Sequence, residues 1–267
     1  MRFVAAVLAL VLSAGCASDV TPTAPAPSRT PSAATPDAEP TPAPRPLAGR
    51  VVVIDPGHQL GNSRFPRETS RLVPAGGFRK PCNTTGTSTD GGYPEATFAW
   101  QVSRLVVRRL EELGARVVLT RDTNSVRRWG PCVDVRGRAG NRVDADVKLS
   151  VHADGSYAAG AHGFHVIHPP ARAPWTDDTA RPSRRFALGV RRALRQAGFP
   201  YATYTAGGDG LDVRHDLATL NLSDVPTVMV ELGNMRAARD ARVMTTPRGR
   251  ARYARALVAA VREHLAG

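Results

Sequence analysis

Short apolar runs rich in β-branched residues alternate along this chain with segments of helical period, and few hairpin signals lie between them. VVVID, RVVLT, VKLSV, GFHVI and TVMV are each four or five residues long, the length of a buried strand rather than of a helix. Strands read over 51–55, 116–120, 147–151, 163–167 and 227–230. Helices read from Pro94 and Glu95 to Gly114, over 136–144, over 184–197 and over 253–265, with a helical turn at 217–220. This order predicts one α/β domain, a mostly parallel twisted sheet with helices on both faces. No internal repeat is evident. Residues 59–92, rich in Gly, Thr, Ser, Pro and Asn, read as a long active-site loop or a loose hairpin.

With 267 residues and 42% hydrophobic content, the chain can build one full core. The first 48 residues do not belong to it. Met1 and Arg2 precede an apolar stretch over 3–12, too short to span a membrane, and Ser13-Ala14-Gly15-Cys16 then supplies small residues before a cysteine. Residues 1–16 therefore read as an export signal in which Cys16 fits a lipidation site, ordinary secretion being the alternative. Residues 17–48 are dominated by Pro, Ala, Thr and Ser and read as a tether, able to reach on the order of 100 Å when extended. The folded domain is expected over 49–267.

Once Cys16 is assigned to the signal, Cys82 and Cys132 remain. An even pair in an oxidising compartment reads as a disulfide. A two-cysteine metal site is the weaker reading, because no CxxC spacing accompanies the pair. The net charge of +13, with basic runs at 104–109, 181–195 and 236–255, attracts polyanions. Nucleic acid is set aside because no recognition motif is present and export removes the chain from it. Acidic wall polymers or anionic lipid suit an exported protein better, and a solvated Arg-rich surface is the plain alternative.

Three of the apolar runs end on a group suited to metal chemistry: His58 after VVVIDPG, His152 after VKLSV and Glu231 after VPTVMV. Open α/β sheets put their sites at such strand ends. Catalytic zinc takes three His or carboxylate ligands and leaves a position for water. His58, His152 and one carboxylate would meet that demand, but the same histidines could equally be hydrogen-bonded caps on strand ends.

Four ordered segments, VVVIDPGH, YPEATFAWQVSRLV, RVDADVKLSVHAD and LNLSDVPTVMVELGNM, carry a resemblance across residues 50–266. In order and spacing they resemble the zinc-dependent N-acetylmuramoyl-L-alanine amidases of the bacterial cell wall, the AmiC-like type 3 family. The resemblance implies His58, Glu95 and His152 as ligands of one Zn2+ per chain and Glu231 as the catalytic glutamate. It implies cleavage of the amide between N-acetylmuramic acid and L-alanine of the stem peptide, and with the export signal the expectation is a monomer of the cell envelope, lipid-anchored or otherwise secreted. Arg214, Asp216 and Asn221 fall in a stretch similar to a motif near the cleft. Arg214 could meet a stem-peptide carboxylate or hold its loop through Asp216. Asp154 could orient a ligand or cap a loop, and His162, His165, His168 and His215 are given ordinary surface or hydrogen-bonding roles.

Larger relatives carry a long regulatory segment after the strand at 163–167. Here residues 169–183 are too short and too Pro-rich for a plugging helix, so the site is expected to be open without an activator, with the 59–92 loop shaping the groove beside Cys82. Two other readings stay in play: a different zinc amidohydrolase acting on stem peptides, such as a carboxypeptidase, and a wall-binding lipoprotein that keeps the fold but uses no metal.

Overall fold

The computed structural model describes residues 45–266. The expected signal, Cys16 and nearly all of the tether lie outside the described residues. A central six-stranded sheet is built from β1 (Val51–Pro56), β4 (Arg116–Leu119), β5 (Val147–Asp154), β6 (His165–His168), β7 (Leu211–Val213) and β8 (Thr227–Asn234), in the order β4-β1-β5-β8-β6-β7. All neighbouring pairs are parallel except β6 against β8. The remaining strands, β2 (Leu72–Pro74) and β3 (Arg79–Pro81), form a separate antiparallel hairpin.

Alternation along the strands assigns each face. Val52 and Ile54, Val147, Leu149 and Val151, and Val228 and Val230 face a helical layer of α2 (Glu95–Glu112), α4 (Ala180–Gln196) and α7 (Pro247–Ala266). Helix α2 presents Phe98, Val102, Val106 and Leu110 to that core, a stripe at four-residue spacing. It stops where Gly114 adopts φ +98, with Ala115 N–H reaching back to Leu110 O at 3.0 Å and Gly114 N–H to Glu111 O at 2.9 Å. That double closure satisfies carbonyls the helix end would leave orphaned. The opposite face carries the shorter α3 (Val133–Gly137) and α5 (Ala218–Asn221), with Ile167 and Met229 packed on Leu220. Among the described residues, no helix is long and apolar enough to cross a membrane.

Several elements depart from the sequence reading. The helix expected over 136–144 is α3 followed by a separate 3-10 turn at Asn141–Val143. Gly137 abuts Ala218 so closely that a Cβ there would lie 2.7 Å from the Ala218 oxygen, and the helix ends at this contact. Helix α4 begins four residues before position 184 and α7 six before position 253, because Pro182 and Pro247 lie near helix starts, where proline is tolerated. The 59–92 loop contains α1 (Pro66–Ser70) and the β2-β3 hairpin. Strand β7 and α6 (Ala238–Met244) carried too weak a periodicity to be read.

Cys82 and Cys132 are joined, their Cα atoms 4.3 Å apart. The bond ties the chain just after β3 to the residue that caps α3. Closing a loop of 50 residues contributes about 4 kcal/mol in the chain-entropy account. Replacing both cysteines by alanine is expected to lower unfolding free energy by about 2–4 kcal/mol in urea titrations.

Lys148 stands on the α3/α5 face of β5, fully buried, and its Nζ donates to the carbonyls of Arg136 (3.2 Å), Thr219 (2.9 Å) and Gly137. Both short helices are thereby fastened to the sheet. Burial pushes Lys148 down to about 7, with Asp55 and Asp224 opposing it. The unfolded chain holds this proton more tightly, its lysine pKa being about 10.4. The stability at stake is therefore present above the unfolded value and is lost as pH falls toward about 7. Unfolding free energy should rise between about pH 7 and 10, and Lys148→Met should flatten that rise.

Candidate metal centre

Strand β1 ends in Asp55-Pro56-Gly57-His58, and His58 adopts φ +53, a left-handed conformation disfavoured outside glycine. Two buried arginines hold this turn. Arg136 pairs with Asp55 at 2.6 Å and donates to Pro56 O at 2.7 Å and His58 O at 2.5 Å. Arg121 donates to Pro56 O and Gly57 O, both at 3.1 Å, and to Ala96 O at 2.8 Å. The turn that aims His58 is thus fixed through the carbonyls of Pro56, Gly57 and His58. Burial opposes ionisation of Asp55, but Arg136 together with the hydroxyls of Ser150 and Thr120 holds its carboxyl well below the usual range.

Glu95 is the first residue of α2, with Pro94 in extended conformation before it. Its carboxylate lies between the two histidines, Oε1 at 3.1 Å from His58 Nε2 and 2.9 Å from His152 Nδ1. His58, Glu95 and His152 offer three ligand atoms within 4.8 Å of one another. The Nδ1 of His58 lies 3.0 Å from Thr84 O, which fits a proton on that nitrogen and leaves Nε2 free to coordinate. Glu95 Oε2 accepts from Thr87 N–H at 3.0 Å. Burial favours the neutral acid at Glu95, yet His58 and His152 outweigh it and hold the group below the ordinary carboxylate range.

Two glycines make room for this cluster. A Cβ on Gly57 would lie 2.5 Å from His152 Cε1, and one on Gly86 2.8 Å from Glu95 Oε2 and 2.9 Å from His58 Cδ2. The donor set of two imidazoles and one carboxylate, drawn together against bare backbone, fits a zinc-sized cation.

Glu231 lies across from His152 in the parallel β5-β8 pairing and from His165 in the antiparallel β6-β8 pairing. Its Oε2 is buried without a hydrogen-bond partner among the described residues. Burial, then Glu95 and Asp154, raise its pKa well above the ordinary value, against the pull of Arg214. Around these four residues is a cavity of about 280 Å³, also lined by Lys80, Thr84, Arg136 and Leu217.

The family profile described as N-acetylmuramoyl-L-alanine amidase matches residues 52–263. The chain belongs to this amidase family. An N-acetylmuramoyl-L-alanine amidase of Mycobacterium tuberculosis is 43% identical over 223 residues, covering 82% of this chain and 88% of that protein. The apo crystal structure of the N-acetylmuramyl-L-alanine amidase Ami1 from Mycobacterium abscessus superposes with a TM-score of 0.76 at 44% identity, covering 82% of this chain and all of that one. Ami1 from Mycobacterium smegmatis gives the same TM-score, 0.76, at 38% identity, covering 82% of this chain and 98% of that one. Amidase AmiC2 of Nostoc punctiforme, at 21% identity and TM-score 0.60, shares the fold.

The other residues singled out in the sequence are distributed unevenly around the amidase site. Arg214 makes a two-pronged pair with Asp216, at 2.8 and 2.7 Å, and Lys80 joins them through Asp216 O at 2.7 Å. Hydrogen bonds from Arg214, with Lys80 assisting against partial burial, hold Asp216 down to about 2. Asn221 is buried; its Nδ2 donates to Ala75 O and His215 O, both at 2.8 Å, which ties α5 to the hairpin. Neither Arg214 nor Asn221 lines the cavity, whereas Lys80 does. Asp154 lines it and accepts from Gly155 N–H at 2.7 Å, a loop cap. His162 Nδ1 lies 2.8 Å from Gly160 O and His168 Nδ1 3.0 Å from Pro169 O, His165 is buried, and His215 is exposed. No residue lining the cavity comes from 169–183. Arg121, Arg136 and Lys80 went unread in the sequence. Asp55, an acid inside an apolar strand, was the signal that a buried cation must exist to meet it.

Proposed function

We propose that this amidase is a zinc hydrolase that cleaves the amide joining the lactyl group of N-acetylmuramic acid to L-alanine of the peptidoglycan stem peptide. His58, Glu95 and His152 would hold one Zn2+ per chain. Bound there, zinc polarises the scissile carbonyl and makes water nucleophilic near neutral pH. The convergence of these three ligands beside an unpartnered Glu231 carboxyl is the observation that carries the reading.

Glu231 takes the proton of the attacking water and returns it to the departing L-alanine amine. A carboxyl raised by burial and by Glu95 suits both halves of that task. Thr84 and the arginine-held turn keep His58 aimed. Lys80, on the cavity wall, is the cation placed to meet a stem-peptide carboxylate, while Arg214 holds its loop through Asp216. The protein works as a monomer outside the cytoplasm, anchored through Cys16 and its tether, with the basic surface favouring acidic wall polymers or anionic lipid.

The test is incubation of the purified protein with a defined muropeptide and no added partner. Release of intact stem peptide and glycan is expected, stopped by a zinc chelator and restored by Zn2+. Release of free D-alanine would instead indicate a carboxypeptidase, and cleavage in zinc-free protein would overturn the metal assignment. A preparation inert until another protein is added would overturn the open site.

A further inference from the structure

We propose that Tyr157 is a glycan platform beside the amidase centre, a subsite for the C–H face of a neighbouring sugar of the strand. The proposal rests on the amidase reading above and adds the direction in which the substrate lies. A second cavity, of about 340 Å³, is lined by Tyr157, two residues beyond Gly155 of the catalytic cavity. Three chain segments wall both: Thr87 lines the first and Asp90 the second, Gly155 the first and Tyr157 the second, Glu231 the first and Asn234 the second. The two spaces are thus lined by neighbouring positions of the same three segments.

Tyr157 is 78% exposed, a large aromatic ring left in water beside a catalytic centre. Its orientation is nonetheless supported. Arg236 lies 4.8 Å over the ring and is itself held by Asp90 at 3.1 Å. The loop that carries the ring is fixed at both ends by Asn234, whose Nδ2 donates to Ser156 O at 2.9 Å and Ala161 O at 2.8 Å. Asn234 is buried and sits on β8, three residues beyond Glu231. The platform is therefore built on the strand that carries the catalytic carboxyl.

The exposed ring decides which arm of the substrate lies here. Arg236 is paired with Asp90, Arg239 and His162 also line the cavity, and the Tyr157 ring offers an apolar, electron-rich face, which suits the weakly positive C–H face of a pyranose. The stem peptide, on the other side of the scissile amide, then lies toward the catalytic cavity wall that Lys80 lines. The glycan runs over Tyr157 and the peptide toward Lys80.

The experiment titrates a peptide-free tetrasaccharide of alternating N-acetylglucosamine and N-acetylmuramic acid into the zinc-loaded protein by calorimetry. Tyr157→Ala is expected to weaken binding about ten-fold, and Tyr157→Phe to keep it within about two-fold, since the ring and not the hydroxyl makes the contact. In parallel, Tyr157→Ala should lower by about ten-fold the ratio of kcat/KM on a tetrasaccharide-peptide to that on a single-sugar muramyl peptide. Undetectable tetrasaccharide binding by the wild type, or equal binding by Tyr157→Ala, would overturn the platform. Glycan binding without cleavage of any muropeptide would leave the platform standing and remove the amidase reading, so the two fail separately.

Discussion

Glu231→Gln is expected to reduce kcat/KM on a muropeptide by roughly 10²- to 10⁴-fold, the usual worth of a general acid-base group, while zinc content stays at one per chain. The two readouts separate because Glu231 stands next to the ligand cluster on a different strand and takes no part in it. Stability should not fall. The carboxyl is buried, unpartnered at Oε2 and repelled by Glu95 and Asp154, so a neutral side chain of the same shape relieves an unfavourable charge. A melting temperature equal to or above that of the wild type, together with lost cleavage and retained zinc, is the expected combination. Cleavage at the wild-type rate would end the assignment of Glu231 as the proton carrier.

Arg136→Met should have the largest effect on folding, about 3–5 kcal/mol, the ordinary cost of removing one partner of a buried ion pair. Asp55 would keep the hydroxyls of Ser150 and Thr120 but lose its counter-charge, and the carbonyls of Pro56, His58 and Pro131 would lose a donor. In the wild type the folded pKa of Asp55 is depressed. The stability it contributes is therefore present above its unfolded value of about 3.9 and is lost as pH falls through the lower folded value. The variant should lose that acid-side dependence in urea titrations from about pH 5 downward. Zinc affinity should fall as well, by about 10- to 100-fold, the usual cost of disturbing a group that orients a ligand. Unchanged stability across that range would show that the pair is not structural.

The long elements were legible because each obeys one period. The run at 51–55 and the stripe from Phe98 to Leu110 state their faces plainly, and β1, β5, β8 and α2 lie where they were read. What escaped were pieces whose form is imposed by neighbours. The helix at Val133–Gly137 ends because α5 meets Gly137, and the three residues of β7 are a strand only through pairing with β6. At the site, His58, His152 and Glu231 announced themselves as polar ends of apolar strands. Glu95 came from the family resemblance, since a glutamate at a helix start looks like any favourable charge at a helix dipole. Arg121 and Arg136 act through backbone carbonyls far away in sequence, and no local spacing encodes such bonds. Asn221 shows the converse: its stretch resembles a motif near the cleft, yet its amide is spent on tying α5 to the hairpin.

The placement of β8 between β5 and β6 makes Glu231 the last member of the catalytic set to be synthesised. His58, Glu95 and His152 are all present once the first 154 residues have paired β1 with β5. Glu231 arrives on a strand inserted from 73 residues further on, after the connecting helix has been laid down. Both pairings are long-range, 95 residues from Val52 to Val147 and 79 from Lys148 to Thr227, and both form slowly relative to local contacts, so it is the order of synthesis that puts Glu231 last. The three proposed zinc ligands are therefore made before the proton carrier, and the catalytic set is complete only when the sheet is finished.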